Sequence, residues 1–109
     1  MGVAYYTGKY KNFSVDAPAA IPESSHYFEK GSPVEVTIAF FMRSPKKPAN
    51  SYPVGDIDNY VKSVLDAITK NGTYWHDDAQ VISLHATKQY GMVEEETPGI
   101  WVEIKEPRL

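Results

Sequence analysis

Val34, Val36, Ile38, Phe40 and Met42 alternate with Glu35, Thr37, Ala39 and Phe41. A period of two with one wholly apolar face predicts a strand over residues 33–43. Ala39 and Phe41 lie on the second face, so one end of this strand is expected to be covered on both sides. After a break at 44–55 that holds three prolines, the period changes. Ile57, Val61, Val64, Leu65 and Ile68 fall within a stripe about 100° wide, which predicts an amphipathic helix over 58–70. Asn71–Gly72 supplies its stop, because glycine accepts the left-handed cap conformation. Alternation returns over 79–90, with Ile82, Leu84 and Ala86 on one face and Ser83, His85 and Thr87 on the other. Residues 91–99 read as a turn and 100–106 as a last short strand, expected antiparallel to the strand before it.

Residues 1–32 are less regular. Tyr5, Tyr6, Lys9, Tyr10, Lys11 and Phe13 interleave aromatic and basic side chains. That pattern suits a half-buried first strand with a wet face, or a surface that tracks a nucleic-acid backbone while stacking bases; the strand is the simpler reading. Pro18 and Pro22 exclude a long helix there, leaving room for a short helical turn around 23–29 closed by Gly31. The pattern as a whole predicts one domain over residues 1–109. Its class is α+β: a small mixed or antiparallel sheet packed against one main amphipathic helix.

Composition narrows the class of protein. With 109 residues, 42% of them apolar and 13% aromatic, the chain can build a single modest core but not two. No apolar run reaches the length of a membrane span and the start lacks a signal-peptide core, so a cytoplasmic protein is expected. Cysteine is absent, which excludes disulfides and thiolate metal sites. Net charge is −3, from 11 basic and 14 acidic residues. A nucleic-acid binder ordinarily carries a basic excess, so the balance counts against DNA unless several carboxylates converge on a cation.

The segment 55–81 offers that convergence. Asp56 and Asp58 would lie about 200° apart inside a helix, but two residues apart in an extended chain they point to the same side. Pro53 and Gly55 keep the chain extended up to the helix start. Lys62 stands one turn further on, about 40° round from Asp58. Reach decides the second acidic pair, Asp77–Asp78. A thirteen-residue helix runs roughly 20 Å, and an extended 72–78 spans roughly 23 Å. A reversal at Asn71–Gly72 would therefore return that pair beside Asp56 and Asp58. Neighbours on a strand point to opposite faces, so only one of Asp77 and Asp78 is expected to be a direct ligand. Lys46 and Lys47, in the loop just before this cluster, are candidate phosphate contacts. Taken singly, each residue has a plainer role: Asp56 or Asp58 as a helix cap, Lys62 as an i,i+4 partner of Asp58 or Asp66, and Asp77–Asp78 as a turn. His26, His76 and His85 show no metal-ligand spacing and are read as surface or strand residues.

At these residues the chain resembles the RusA family of Holliday junction resolvases of bacteria, phages and prophages. The pattern is Asp56, Asp58–Asn59, Lys62, Asp66 and Asp77–Asp78–Ala79–Gln80–Val81, with Lys88–Gln89–Tyr90 at the end of the following strand. The close match covers about 33–106. Residues 1–32 are atypical for the family, as from a shortened N-terminal part, and Val54–Gly55 stand where many members carry a basic residue. The resemblance implies a homodimeric, Mg²⁺-dependent endodeoxyribonuclease that cuts four-way DNA junctions by paired incisions in recombination and repair. By carry-over, Asp56, Asp58 and Asp78 are the metal-binding, catalytic carboxylates, Asp77 assists them, and Lys62 is the catalytic lysine. Lys88 joins Lys46 and Lys47 as a DNA contact. Two other readings remain open from sequence: a flap or fork nuclease, and a non-catalytic acidic protein that binds a DNA-processing partner, which the Glu94–Glu96 run favours.

Overall fold

The computed structural model describes residues 21–91 and 99–108. The aromatic–basic segment expected as a first strand, and the Glu94–Glu96 turn, lie outside the described residues. Three strands, β1 (Val34–Met42), β2 (Val81–Tyr90) and β3 (Gly99–Lys105), form one sheet in the order β2-β1-β3. One long helix, α1 (Ile57–Asn71), connects β1 to β2. The architecture is α+β with a mixed sheet: β1 pairs with β2 in parallel and with β3 antiparallel.

The period-two pattern produces its core directly. Val34, Val36, Ile38 and Phe40 of β1 are completely buried, beside Ile100, Val102 and Ile104 at register partners on β3. Against this face α1 buries Val61, Val64, Ala67 and Ile68. Ala67 belongs to the buried stripe, whereas Leu65 and Ile57, at its edge, stay half-buried. Gly72 ends the helix in the left-handed conformation, φ +80°, its N–H donating to the Ile68 carbonyl at 3.4 Å.

Two expectations are corrected. The last strand does not form a hairpin with β2; it crosses to the far side of β1. β1 is the central strand and its apolar face is fully buried beside the apolar face of β3, whereas β2 at the edge keeps Ile82 and Leu84 exposed. The parallel β1–β2 pair needs a crossover, which α1 provides. Secondly, residues 23–29 are not helical. Phe28 instead forms an isolated parallel bridge with Trp75, its N–H donating to the Tyr74 carbonyl at 2.8 Å. Gly31 does close a turn there, at φ +88°, with Ser32 N–H on the Glu29 carbonyl.

Tyr74 and Trp75 explain that docking. Both are buried, the Tyr74 hydroxyl donates to the Pro22 carbonyl at 2.6 Å, and Trp75 Nε1 donates to Thr69 Oγ1 at 2.8 Å. Asn71 Nδ2 adds a bond to the Ile21 carbonyl. The turn after the helix thus plugs the core and fastens residues 21–32. Among the described residues, no helix is long and apolar enough to cross a membrane.

Candidate active site

Of the extended approach expected from Pro53 and Gly55, only Asp56 is extended; the chain bends at 54–55 just before it. Asp56 occupies the N-cap position at φ −91°, ψ 123°, yet its side chain makes no capping hydrogen bond. The plain capping role is therefore not taken. Gly55 sits at φ +101°, and the Tyr60 ring and hydroxyl fill the place where a side chain would stand, so glycine is required.

From this start α1 displays Asp58, Lys62 and Asp66 at four-residue spacing along one edge of its apolar stripe. Successive members lie about 40° and about 6 Å apart. With Ile57, Val61 and Leu65 they wall a concavity of about 510 Å³, to which Leu84 and Ala86 of β2 contribute apolar surface and Asp78 a carboxylate. Lys62 is exposed and forms no salt bridge to Asp58 or Asp66. Its role as an ordinary helix ion-pair partner is not realised.

The second acidic pair is held by a turn, not by a strand. Asp78–Gln80 forms one 3-10 turn with Asp77 as its extended N-cap, and the Asp77 and Gln80 side chains cap each other's backbone. Gln80 is the anchor. Its Oε1 accepts from His76 N–H at 2.9 Å and Asp77 N–H at 3.0 Å. Its Nε2 donates to the carbonyls of Phe28 (3.2 Å), Glu29 (2.9 Å) and Ser32 (3.0 Å). Two N–H groups serving three carbonyls must share one of them. This buried amide ties the acidic turn to the 28–32 loop and so fixes where Asp78 projects.

Asp78 is half-buried, and its pKa is raised. Desolvation is the largest cause, followed by the Asp77 charge and hydrogen bond and then by Asp66, with Lys62 opposing. The folded state therefore holds the Asp78 proton to higher pH than the unfolded chain does. Between the two pKa values stability falls as pH rises, and the penalty is fully present above the folded pKa. Asp78→Asn is accordingly expected to raise Tm at neutral pH while removing a carboxylate from the concavity. Thermal melts from acid to neutral pH check it: the gap between variant and wild type should open with rising pH and close in acid.

The geometry gathers some of the expected residues and not others. Asp58, Lys62 and Asp78 line one concavity. Asp56 stands at the head of the helix outside that lining, and Asp77 is exposed beside Asp78. The returning chain brings Asp78 into the concavity that Asp58 lines, and Asp56 is not among its lining residues. The connection is not extended, since Tyr74 and Trp75 turn into the core and Asp78 opens a 3-10 turn. Asp78 interacts with Lys62 and Asp66, which stand about 6 Å and about 12 Å along the helix axis from Asp58. Asp66 is the residue that sequence reasoning passed over as a site member. Its four-residue step beyond Lys62 was the available signal. Lys46 and Lys47 are exposed in the loop between β1 and α1. Lys88 is turned inward, donating to the carbonyls of Pro53 at 2.8 Å and Gly55 at 2.5 Å.

The donor set is all hard oxygen. Among the described residues no three carboxylates or imidazoles converge closely enough to hold an ion by themselves. Oxygen donors are the kind that a hard cation such as Mg²⁺ takes. The crowding that raises the Asp78 pKa is also what a cation would relieve.

Comparison with known proteins identifies the family. The family profile described as Endodeoxyribonuclease RusA matches residues 1–105, and so includes the first 32 residues, which the motif comparison left as atypical. The chain is 32% identical over 100 residues to the "Crossover junction endodeoxyribonuclease rusA" of Lactococcus phage r1t, covering 87% of this chain and 71% of that one. Motif, fold and extent of the match agree, and this nuclease belongs to the RusA family of endodeoxyribonucleases.

Proposed function

We propose that the protein resolves four-way DNA junctions by Mg²⁺-dependent phosphodiester hydrolysis, acting as a cytoplasmic homodimer in recombination and repair. The observation that carries this reading is the concavity in which Lys62 stands between Asp58 on one side and Asp66 and Asp78 on the other. A bound Mg²⁺ would supply Lewis-acid activation of water and of the scissile phosphate. Asp58 and Asp78 are its candidate ligands from the concavity, with Asp56 contributing from the helix head and Asp77 supporting Asp78. Lys62 offsets charge that develops on the phosphate. The apolar surface from Leu65, Leu84 and Ala86 limits water beside these charges and strengthens them. Lys46 and Lys47 contact flanking phosphates.

A C₂ dimer presents two identical sites to a junction of matching symmetry, which accounts for paired incision. Sedimentation of the protein with and without junction DNA tests the dimer; monomer under both conditions contradicts it. The activity is tested by incubating the protein with a synthetic four-way junction, a flap and a plain duplex at equal salt, with and without Mg²⁺. Symmetric metal-dependent nicks confined to the junction are expected, and Asp58→Asn should abolish them. Preferential cutting of the flap would favour the fork-nuclease reading. Binding without cutting in every arm would contradict hydrolysis at this site.

A further inference from the structure

Residues 53–56 lead into the first acidic cluster, and each of their carbonyls is held by a neighbouring rigid element. Lys88 Nζ, on β2, binds the Pro53 and Gly55 carbonyls. The Tyr60 hydroxyl, on α1, donates to the Val54 carbonyl between them at 2.7 Å. The Tyr60 N–H donates to the Asp56 carbonyl at 3.3 Å. The holders are themselves fixed. Lys88 pairs in register with the buried Phe40 and stands 5.5 Å over the Tyr52 ring, while the Tyr60 ring lies 5.5 Å from that of Phe40. Two of the three ammonium protons are thus engaged by carbonyls, bonds that are charge-assisted and stronger than neutral ones.

From this geometry we propose that Lys88 is a positioning residue for Asp56 and Asp58, and not a phosphate contact. Its ammonium and the Tyr60 hydroxyl together set the path of the chain over residues 53–55. That path fixes the direction in which Asp56 leaves the N-cap and the height at which Asp58 opens the helix. Free, this proline- and glycine-containing loop would sample many positions for those two carboxylates. A site that binds a cation through few ligands loses most when the ligands wander. The inference rests on the proposed metal-dependent cleavage, but its first test does not.

Lys88→Met keeps the aliphatic stem and deletes the ammonium; Lys88→Arg restores a donor; Tyr60→Phe deletes the hydroxyl alone. Amide hydrogen exchange of the full chain, without metal or DNA, is expected to quicken by about ten- to a hundredfold over 54–60 in Lys88→Met, the scale of a lost charge-assisted bond. It should quicken less in Tyr60→Phe and return toward wild type in Lys88→Arg, with the amides of β1 and β3 unchanged. Exchange that does not change over 54–60, or that quickens equally across the sheet, overturns the proposal. Junction binding in EDTA over a salt series supplies the second arm. Lys88→Met should keep the wild-type salt slope, whereas a phosphate contact would lower it by about 1, and that result also overturns the proposal. In cleavage, Lys88→Met should lower kcat and require more Mg²⁺ for half-maximal rate, with KM for the junction unchanged. If the wild-type protein cuts no junction, the proposed function falls while the exchange arm still decides the role of Lys88.

Discussion

Replacing Lys62 with methionine is expected to lower junction cleavage by about 10²–10³-fold while leaving junction binding and the fold in place. Lys62 is exposed on α1, so the substitution uncovers no core and breaks no salt bridge. It does remove the cation that faces Asp58, Asp66 and Asp78 across the concavity. Lys62 is the group that lowers the Asp78 pKa against burial, Asp77 and Asp66. Without it, Asp78 holds its proton to still higher pH, and the residual activity should move to more alkaline conditions. Lys62→Arg keeps the charge but spreads it over a planar fork that fits a different geometry, so partial recovery is expected. Single-turnover cleavage at several pH values, with binding measured in EDTA, separates these effects. Near-wild-type turnover in Lys62→Met would remove lysine from the mechanism.

Gln80→Ala should be the most damaging single change to stability, by about 3–4 kcal/mol. The substitution leaves two N–H groups and three carbonyls without their partner, in a part of the structure where the Gln80 side chain is itself buried. Water entering the gap would recover part of this, which keeps the estimate below the sum of five unmade bonds. At about 4–8 °C per kcal/mol for a domain near this size, Tm should fall by roughly 15 °C or more. Gln80→Glu makes a sharper test. A carboxylate can still accept from His76 and Asp77, but it opposes three carbonyl oxygens. Its damage should be severe at neutral pH and ease in acid, where a protonated carboxyl can donate again. Melts of both variants across pH check this, and a Tm within 3 °C or so of wild type would show that the turn stands without its anchor.

The candidate site was partly legible because its chemistry is written in local spacing. The four-residue steps Asp58, Lys62 and Asp66 need only a helix to fall on one edge, and Gly72 after Asn71 correctly marks where the helix stops. Gly55 did not keep the approach extended: it turns the chain at positive φ just ahead of Asp56. Gln80 was visible only as a letter of the family motif, because its five partners lie on two segments far apart in the chain, 28–32 and 76–77, and no periodicity encodes them. The carbonyl partners of Lys88 were hidden for a similar reason. A basic residue at the end of a strand reads as free charge until the loop it meets is seen.

By itself, then, the sequence determined the α+β class, the extents of β1, α1 and β2 to within two residues or so, the core faces of β1 and α1, and membership of a DNA-cutting family through the Asp58–Asn59, Lys62 and Asp77–Asp78 motif. These rest on local interactions: backbone periodicity, caps and turn preferences act between residues a few positions apart. Only the tertiary structure decided that β3 crosses to the far edge of β1, that Asp78 reaches Asp66 and Lys62 while Asp56 remains at the helix head, and that Lys88 is bound to carbonyls. Those outcomes depend on which surfaces bury one another. β1 takes a hydrogen-bonded partner at each edge, and Tyr74 and Trp75 turn into the core, so the chain returning toward α1 is not extended.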